Sequence, residues 1–447
     1  MDLNNDTINK LMSSKFEIDY IDIDLTQQIK ENPIIYNGSG TIYQDKNGVL
    51  NLKLYAKRTN IEKKLSHIFK HYVPGRIIGN EDYFSLRATD MSGNEWCAED
   101  ISPSANVSFP AAGQIIKAKL REIKNITEAD MRIRSGKTCL FIVAPGSYEI
   151  PCNKKEDLEN GGWRLNKSLF SVNEVDFEFK KLDNYLTINA STETNALSEQ
   201  SEIRILEALS IVHGRIVRPM IIDHSHSGIR TLRIKSVDDT FPNKWLSYPI
   251  EHSLPSHLGI FANFFEGYLS SIKSPNSELF GFWYKINRAW QSGIQNASLA
   301  LAVAIEGIVR SYFEQYGLPD KEIRQQALQA KQLIKHSELG KRIKDRLLSS
   351  IGSLKIASPQ AALYQMSGTG LFPKSFVVEW ISLRNKSVHA DQIEQNKKIK
   401  QIDINRNYTC LALFYCLLFK IIGYEGNFID YSQEGWPEKS FSLLREE

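Results

Sequence analysis

Three side chains that could move a proton and hold an anion stand within six residues of one another: Arg384, Asn385 and His389, in the segment LRNKSVHA. Histidine takes or gives a proton near neutral pH, since its unperturbed pKa is about 6.5. Arginine stays charged and can bind two oxygens of an anion at once. We refer to these residues as the trio. The alternative is that they are the polar end of a helix, whose dipole favours cations there.

The segment that carries the trio has the spacing of an amphipathic helix over residues 374–390. Its apolar stripe consists of Phe376, Val377, Trp380 and Leu383. This i, i+1, i+4, i+7 pattern predicts that the helix packs by one face. At about 100° per residue, Arg384 and His389 both fall outside the stripe and do not stack on one another. They could flank a seam at which a second copy of the helix adds its own pair.

The elements around this helix change in character along the chain, whose 447 residues are enough for two or three domains. Up to about residue 250, short alternating segments with polar turns, such as residues 39–56, predict antiparallel strands. From about residue 253 the apolar spacing is helical. We therefore predict an α+β protein. A β-rich domain of the sandwich or barrel type would occupy residues 1–250, and an all-helical bundle residues 251–447.

Composition and short motifs argue against several classes of function. The five cysteines are an odd number without C-x-x-C spacing, which indicates a reducing compartment rather than a disulfide framework or a zinc ribbon. The first residues lack a secretory pattern, and the longest apolar run, from Cys410, contains Lys420 and is too short to span a membrane. The sequence has no P-loop, G-x-G-x-x-G or G-x-S-x-G motif. We expect a cytoplasmic protein without membrane contact, nucleotide hydrolysis or esterase chemistry.

One segment, DHSHSG at residues 223–228, has residue types that can ligate zinc. It falls at the turn of a predicted hairpin, and no other Cys or His cluster of the sequence supplies the missing ligands. We therefore interpret it as a polar turn, and we predict neither a metal nor another cofactor.

A helical bundle with R-N-x-x-x-H on a late helix resembles the HEPN superfamily of ribonucleases. Residues 296–317, in which Glu306 interrupts an apolar stretch, resemble a helix of ApeA-like HEPN domains, and the resemblance covers about residues 255–425. The front half, with GRIVRP before the bundle, resembles the N-terminal region of ApeA-type anti-phage proteins in a general way. In this family the motif is the catalytic signature. Dimerisation brings two copies together into one composite, metal-independent site.

The resemblance implies a role for each member of the trio. His389 would be the general base or acid, Arg384 would stabilise the transition state at the phosphate, and Asn385 would position the histidine or the RNA. Glu306 follows seven consecutive apolar residues, which predicts a helix buried over most of its circumference. A carboxylate there needs a partner. That partner could be Arg310, one turn later, or Arg384 across the bundle, and the sequence favours neither.

Basic residues near the motif could guide RNA to it. The candidate contacts are Lys341, Arg342, Lys344 and Lys386. Basic helix faces bind phosphates without sequence preference, although most such faces are only solvated. The net charge of +3 is too small to decide between the two.

Three hypotheses from different classes of function follow. The first is a HEPN endoribonuclease of the abortive-infection type, a homodimer through the HEPN bundle, which cleaves RNA such as tRNA. Its front half would sense a phage-derived trigger or restrain the nuclease. The second is a HEPN-like bundle without catalysis that dimerises or binds a partner. In the third, the β domain binds a ligand and the helices are a scaffold. The intact trio favours the first.

Overall fold

The structure, a computed structural model, divides the chain into two compact units. The residues that it describes are 5–57, 75, 77–103, 113–128, 138–158, 161–194, 197–237, 245–271, 278–353, 357–388 and 401–443. The first unit comprises Met1–Glu202 and Val217–Asn243, and the second Ile203–Ile216 and Lys244–Glu447. The sequence placed one boundary at residue 250, whereas the second unit here also takes in a segment from the middle of the chain.

Helix α1 (Asn5–Met12) opens the first unit, and one sheet of fourteen strands follows it. The strands are β1 (Glu17–Gln27), β2 (Ile35–Gln44), β3 (Leu50–Lys57), β4 (Phe84–Asp90), β5 (Glu95–Pro103), β6 (Gly113–Leu120), β7 (Glu122–Glu128), β8 (Thr138–Pro145), β9 (Lys154–Asp157), β10 (Trp163–Val172), β11 (Val175–Lys181), β12 (Tyr185–Thr192), β13 (Ile221–His226) and β14 (Ile229–Lys235). All of their pairings are antiparallel, so the predicted β-rich first part is confirmed.

Six of these strands close into a barrel. Their order is β4–β1–β2–β3–β6–β5, and β5 pairs with β4 again, with Trp96 opposite Ala88. From β5 the sheet continues through β7, β14, β13, β8, β12, β11 and β10 to β9. Closure pairs strand edges that would otherwise stay free. Of the two architectures that the sequence left open, the structure has the barrel, with an extended sheet continuing from it.

Alternation along the barrel strands separates a packed interior from a polar exterior, because successive side chains of a strand point to opposite faces. On β3 the interior side chains are the fully buried Leu50, Leu52 and Leu54. A Cβ atom at Gly38 or Gly40 of β2 would overlap the carbonyl oxygens of Tyr55 and Lys53. Glycine at these two positions therefore permits the close approach of β2 to β3.

The second unit is mainly helical. Its helices are α2 (Glu199–Val212, which begins in the first unit), α3 (Leu258–Ser271), α4 (Glu278–Gln291), α5 (Ile294–Tyr312), α6 (Lys321–His336), α7 (Lys341–Ser353), α8 (Pro359–Gly368), α9 (Lys374–Val388) and α10 (Gln401–Ile422). A hairpin of β15 (Gly426–Ile429) and β16 (Glu438–Phe441) ends the described chain. The predicted helical second part is confirmed, and this hairpin is an addition to it. It folds there because Phe428 and Phe441 pack on Phe419 of α10.

The breaks between the helices follow local residue chemistry. The helical spacing of residues 278–316 predicts a break near Gly293, and Gly293, with a φ of 116°, separates α4 from α5. The spacing of residues 320–350 predicts one helix, whereas the structure has two, separated by SELG at residues 337–340. The apolar run that starts at Cys410 predicts a core helix, and its full burial through Phe419 confirms this. In the described residues, no helix combines the length and the apolar character needed to cross a membrane.

The turn between β4 and β5 is organised by a buried carboxylate. Asp90 accepts hydrogen bonds from the backbone N–H groups of Ser92 and Asn94, from the Asn94 amide and from the indole of Trp96, at 2.9–3.0 Å. Burial raises the pKa of Asp90, but the hydrogen bonds from Asn94, Trp96 and Ser92 outweigh it, so the pKa is lowered.

We expect Asp90→Asn to lower the free energy of unfolding by about 1–3 kcal/mol at pH 7, because an amide cannot accept all four bonds. A lowered folded-state pKa adds stability above the unfolded pKa of about 3.9 and loses it as pH falls through the folded value. The gap between wild type and variant should therefore narrow below about pH 4. Urea titrations at pH 7, 5 and 3.5 measure the free energy of unfolding of wild type and Asp90→Asn. Asp157→Asn, an exposed position on β9, is the matched control, and an equal gap at all three pH values would contradict the assignment.

Candidate functional site

The helix of the trio is fixed by its apolar stripe, all four residues of which are buried as predicted. Within the stripe, the indole Nε1 of Trp380 donates a hydrogen bond to the carbonyl oxygen of Ala302 on α5, at 3.2 Å. One turn further along both helices, Arg384 reaches Glu306. From the first contact to the second, the residue number rises by four on both helices, so α5 and α9 run in the same direction here.

Glu306 binds two arginines at once. Its Oε2 atom accepts a hydrogen bond from Nε of Arg384 at 2.8 Å. Its Oε1 atom accepts from Nε and Nη2 of Arg310, at 3.2 and 2.9 Å. Both partners that the sequence left open are therefore correct. We call Glu306, Arg310 and Arg384 the Glu306 cluster, which carries one more positive than negative charge.

The cluster lies at the surface, not in the core. The Glu306 side chain is 23% exposed and that of Arg384 47%. On the same helix Val303 is 58% exposed, and Leu299 is exposed as well. The prediction that α5 is buried over most of its circumference is wrong. The neighbouring helices cover one side of α5, on which Leu301, Ile305, Ile308 and other residues are buried. An apolar run cannot by itself show which of its members are covered.

In the described residues, the guanidinium of Arg384 makes a hydrogen bond through Nε alone. Nε carries the bond to Glu306, and the guanidinium carbon lies 6.0 Å from the ring centre of Trp380. Among the described residues, no hydrogen bond engages the two terminal NH₂ groups, which can bind an anion. Asn385 is exposed beside it. His389, the third member of the trio, lies outside the described residues.

A second set of charges joins α9 to α10. Asp403 accepts from Nζ of Lys386 at 2.7 Å and lies 3.6 Å from Nη1 of Arg406. Arg406 also donates to Glu379 of α9 at 2.7 Å. Lys386, a predicted RNA contact, thus has a carboxylate partner. Sequence reasoning missed Asp403, Arg406 and Glu379. The one signal for Asp403 and Arg406 is their i, i+3 pair of opposite charges at the start of α10, and it does not extend to Glu379 of α9.

The other predicted RNA contacts lie on the helix pair α6–α7. Lys341 and Arg342 are exposed, and Lys344 is partly exposed, with Nζ 3.3 Å from the carbonyl oxygen of Lys335. In the described part of the chain, no hydrogen bond or ion pair joins these three residues to the Glu306 cluster. The structure therefore groups Arg384, Asn385 and Glu306, and places the α7 cations on a separate element.

The DHSHSG segment forms the end of β13 and the turn into β14. Asp223 binds the guanidinium of Arg230 through both oxygens, at 2.8–3.1 Å, and Nδ1 of His226 lies 3.0 Å from the hydroxyl of Thr138. A search of the described residues finds no group of three His, Cys, Asp or Glu side chains that could hold a metal ion. These contacts give Asp223 and His226 a structural role in the sheet.

Comparison of the chain with models of known protein families, with curated proteins and with solved structures finds no match.

We expect substitutions in the Glu306 cluster to destabilise the helical unit less than the loss of a buried hydrogen bond between α5 and α10. Asn407 of α10 is buried; its amide donates to Ser298 of α5 and to the Asp403 carbonyl, at 2.9 and 2.8 Å. We expect Asn407→Ala to lower the free energy of unfolding by about 1–3 kcal/mol. Glu306→Gln should lower it by less than about 1 kcal/mol, because ion pairs near the surface contribute little.

Chemical denaturation of both variants checks this expectation, with the exposed Asn405→Ala as control for Asn407. A loss above about 2 kcal/mol for Glu306→Gln would show that the cluster holds the bundle together, rather than only orienting Arg384.

Proposed function

We propose that the protein is a metal-independent endoribonuclease of the HEPN type that acts in anti-phage defence. The observation that carries this proposal is the bond from Nε of Arg384 to Glu306 on another helix. It orients a half-exposed guanidinium beside Asn385, and His389 follows four residues later in the sequence. The comparisons supply no relative, so the proposal depends on this geometry and on the motif.

The cluster has the charge that a phosphate site needs. One carboxylate shared by two arginines leaves a surplus positive charge at the surface, and Arg384 keeps its terminal NH₂ groups for an anion. A guanidinium fixed at Nε loses less conformational freedom when it binds a phosphate. This favours phosphate binding by Arg384 over a purely structural ion pair.

In the proposed reaction, the ribose 2′-hydroxyl attacks the adjacent phosphorus and the 5′-oxygen leaves. His389 takes the proton of the 2′-hydroxyl or supplies one to the leaving oxygen. Arg384 stabilises the negative charge that grows on the phosphate oxygens, and Asn385 orients the histidine or the RNA. The products are a 2′,3′-cyclic phosphate and a 5′-hydroxyl.

We also propose that the active form is a homodimer through the helical unit. Leu299, Val303, Glu306 and Arg310 follow one another at i, i+4, i+7 and i+11, so they share one face of α5. The apolar pair is exposed directly beside the cluster. A second copy that covered this face would bring its own Arg384 and Asn385 to the same place. We call this face the α5 stripe.

The remaining parts of the proposal are the RNA track and the trigger. Lys341, Arg342 and Lys344 would bind RNA phosphates, and the β-rich unit would sense a phage-derived signal or restrain the nuclease. A second candidate function is a dimerisation module without catalysis. The exposed apolar pair on the α5 stripe favours it as strongly as it favours a dimeric nuclease, so activity must separate the two.

We expect His389→Ala to abolish both phage protection and RNA fragmentation, since a general acid or base contributes on the order of 10²–10⁴ to a rate. Arg384→Ala should act similarly, and Glu306→Gln should reduce cleavage about tenfold by releasing the guanidinium. Growth and total-RNA integrity in expressing cells, with and without phage, measure this. Adding EDTA to an assay with purified protein tests metal independence.

A matched control separates the motif from its surroundings. His336→Ala removes an exposed histidine of α6 that belongs neither to the trio nor to the Glu306 cluster. It should retain most of the cleavage. If His389→Ala protects and fragments RNA like wild type across several phages at equal expression, the nuclease proposal fails and the dimerisation module remains.

The dimer has its own test. We expect Val303→Asp to make the protein monomeric, because a carboxylate on the α5 stripe would be buried against its counterpart. Sedimentation velocity measures the mass, with Leu333→Asp on α6, another highly exposed apolar position, as control. A monomeric wild type, or a Val303→Asp dimer as tight as wild type, would contradict this interface.

A further inference from the structure

The outer face of the barrel carries a row of lysines, none of which belongs to the residues discussed above. Lys53 of β3 stands directly opposite Lys117 of β6, and Lys119 lies two residues further along the same face of β6. Two like charges at facing positions of neighbouring strands destabilise a sheet by themselves. A bound anion would remove that repulsion.

An aromatic platform lies beside these lysines. Tyr55 of β3 is 48% exposed and faces Ile115 of β6, which is equally exposed. On its other side Tyr55 faces Ser39 of β2, a residue with a short side chain. The ammonium of Lys53 lies 5.0 Å from the centre of the Tyr55 ring. We call Lys53, Lys117, Lys119, Tyr55 and Ile115 the basic face.

The surrounding charges limit the direction in which a ligand could run. Glu17 and Asp19 lie on β1, one strand beyond β2, and Asp19 accepts a hydrogen bond from Thr41 at 2.8 Å. Asp45 lies in the β2–β3 turn. Burial raises its pKa, but hydrogen bonds from Asn47, Val49 and Asn51, together with the positive charge of Lys119, outweigh this effect, so the pKa is lowered. An anionic chain would therefore follow β3 and β6 and avoid β1.

We propose that the basic face binds single-stranded nucleic acid, with phosphates on Lys53, Lys117 and Lys119 and a base stacked on Tyr55. Single strands are bound elsewhere by this combination, a cationic track with exposed aromatic rings, because every base has a π-face. A duplex keeps its bases stacked inside and would use only the lysines. A folded acidic protein would leave the ring without a planar partner. The inference concerns the first unit and does not depend on the proposed nuclease site.

The test is binding of a fluorescent twelve-nucleotide RNA to the full-length His389→Ala protein, followed by anisotropy. Cleavage, if it occurs in wild type, then does not interfere. We expect Lys53→Glu/Lys117→Glu to weaken binding at least tenfold and to flatten the salt dependence, since each phosphate contact contributes about 0.7 to its logarithmic slope. Tyr55→Ser should weaken binding about tenfold, and Tyr55→Phe should restore it.

Matched variants and ligands make the outcome decisive. Lys30→Glu/Lys154→Glu changes the charge equally at two exposed lysines of the same unit outside the basic face. Lys341→Glu/Arg342→Glu/Lys344→Glu tests the α7 track of the proposed nuclease in the same assay. Loss through the α7 set alone would support the nuclease track and overturn the basic face. Loss of RNA binding only in Lys53→Glu/Lys117→Glu would support the basic face and overturn the α7 track.

The choice of ligand separates stacking from simple charge attraction. Equal binding of single-stranded DNA still supports the inference, whereas equal binding of duplex RNA or heparin with no effect of Tyr55→Ser overturns it. Photocrosslinking of 5-iodouridine RNA to the His389→Ala chain, without further substitution, should modify the peptide that contains Tyr55. Crosslinks confined to the second unit would also overturn the inference, even if a basic-face variant failed to fold.

Discussion

The carboxylate of Glu306 determines where the exposed guanidinium of Arg384 lies, and the packing of α9 determines that the two can meet. Burial of the α9 stripe sets the rotation of the helix, and the bond from Trp380 to Ala302 sets its height against α5. With rotation and height fixed, Arg384 falls on Glu306 one turn later. The packing of α9 on α5 therefore positions the ion pair of Arg384 and Glu306. This agrees with the small contribution that an exposed ion pair makes to stability.

Much of the fold could be predicted from the sequence, because it depends on local signals. Polar turns such as Asp45–Gly48 mark the hairpins, and Gly293 marks a helix break. The closure of the barrel could not be predicted, because it needs the pairing of β4 with β1, two segments that are distant in sequence. The same reason hides the hairpin β15–β16, whose packing partner Phe419 lies on another element.

For the candidate site, the sequence supplied residue types and the structure supplied neighbours. Spacing on α9 was enough to place Arg384 off the packed stripe. It could not show that Glu306 binds two arginines, because the two oxygens of a carboxylate can take separate donors and Arg384 lies far from Glu306 in sequence. The exposure of Val303 was missed because seven apolar residues in a row hide which face a helix presents. That exposed face is now the reason to consider a second copy.

In the proposed dimer, association and anion binding would assist one another. Each copy brings one surplus positive charge to the α5 stripe, and two such charges about 8 Å apart in water repel by about 0.5 kcal/mol. Covering a fully exposed valine or leucine side chain contributes about 1.5–3 kcal/mol. Because Leu299 and Val303 are 45% and 58% exposed, each would contribute about half of that, which still exceeds the repulsion. An RNA phosphate between the two Arg384 side chains would turn the repulsion into attraction. In the proposed dimer the cluster would thus combine a weak mutual repulsion with a site for an anion, which is the arrangement expected where two copies meet around a charged substrate.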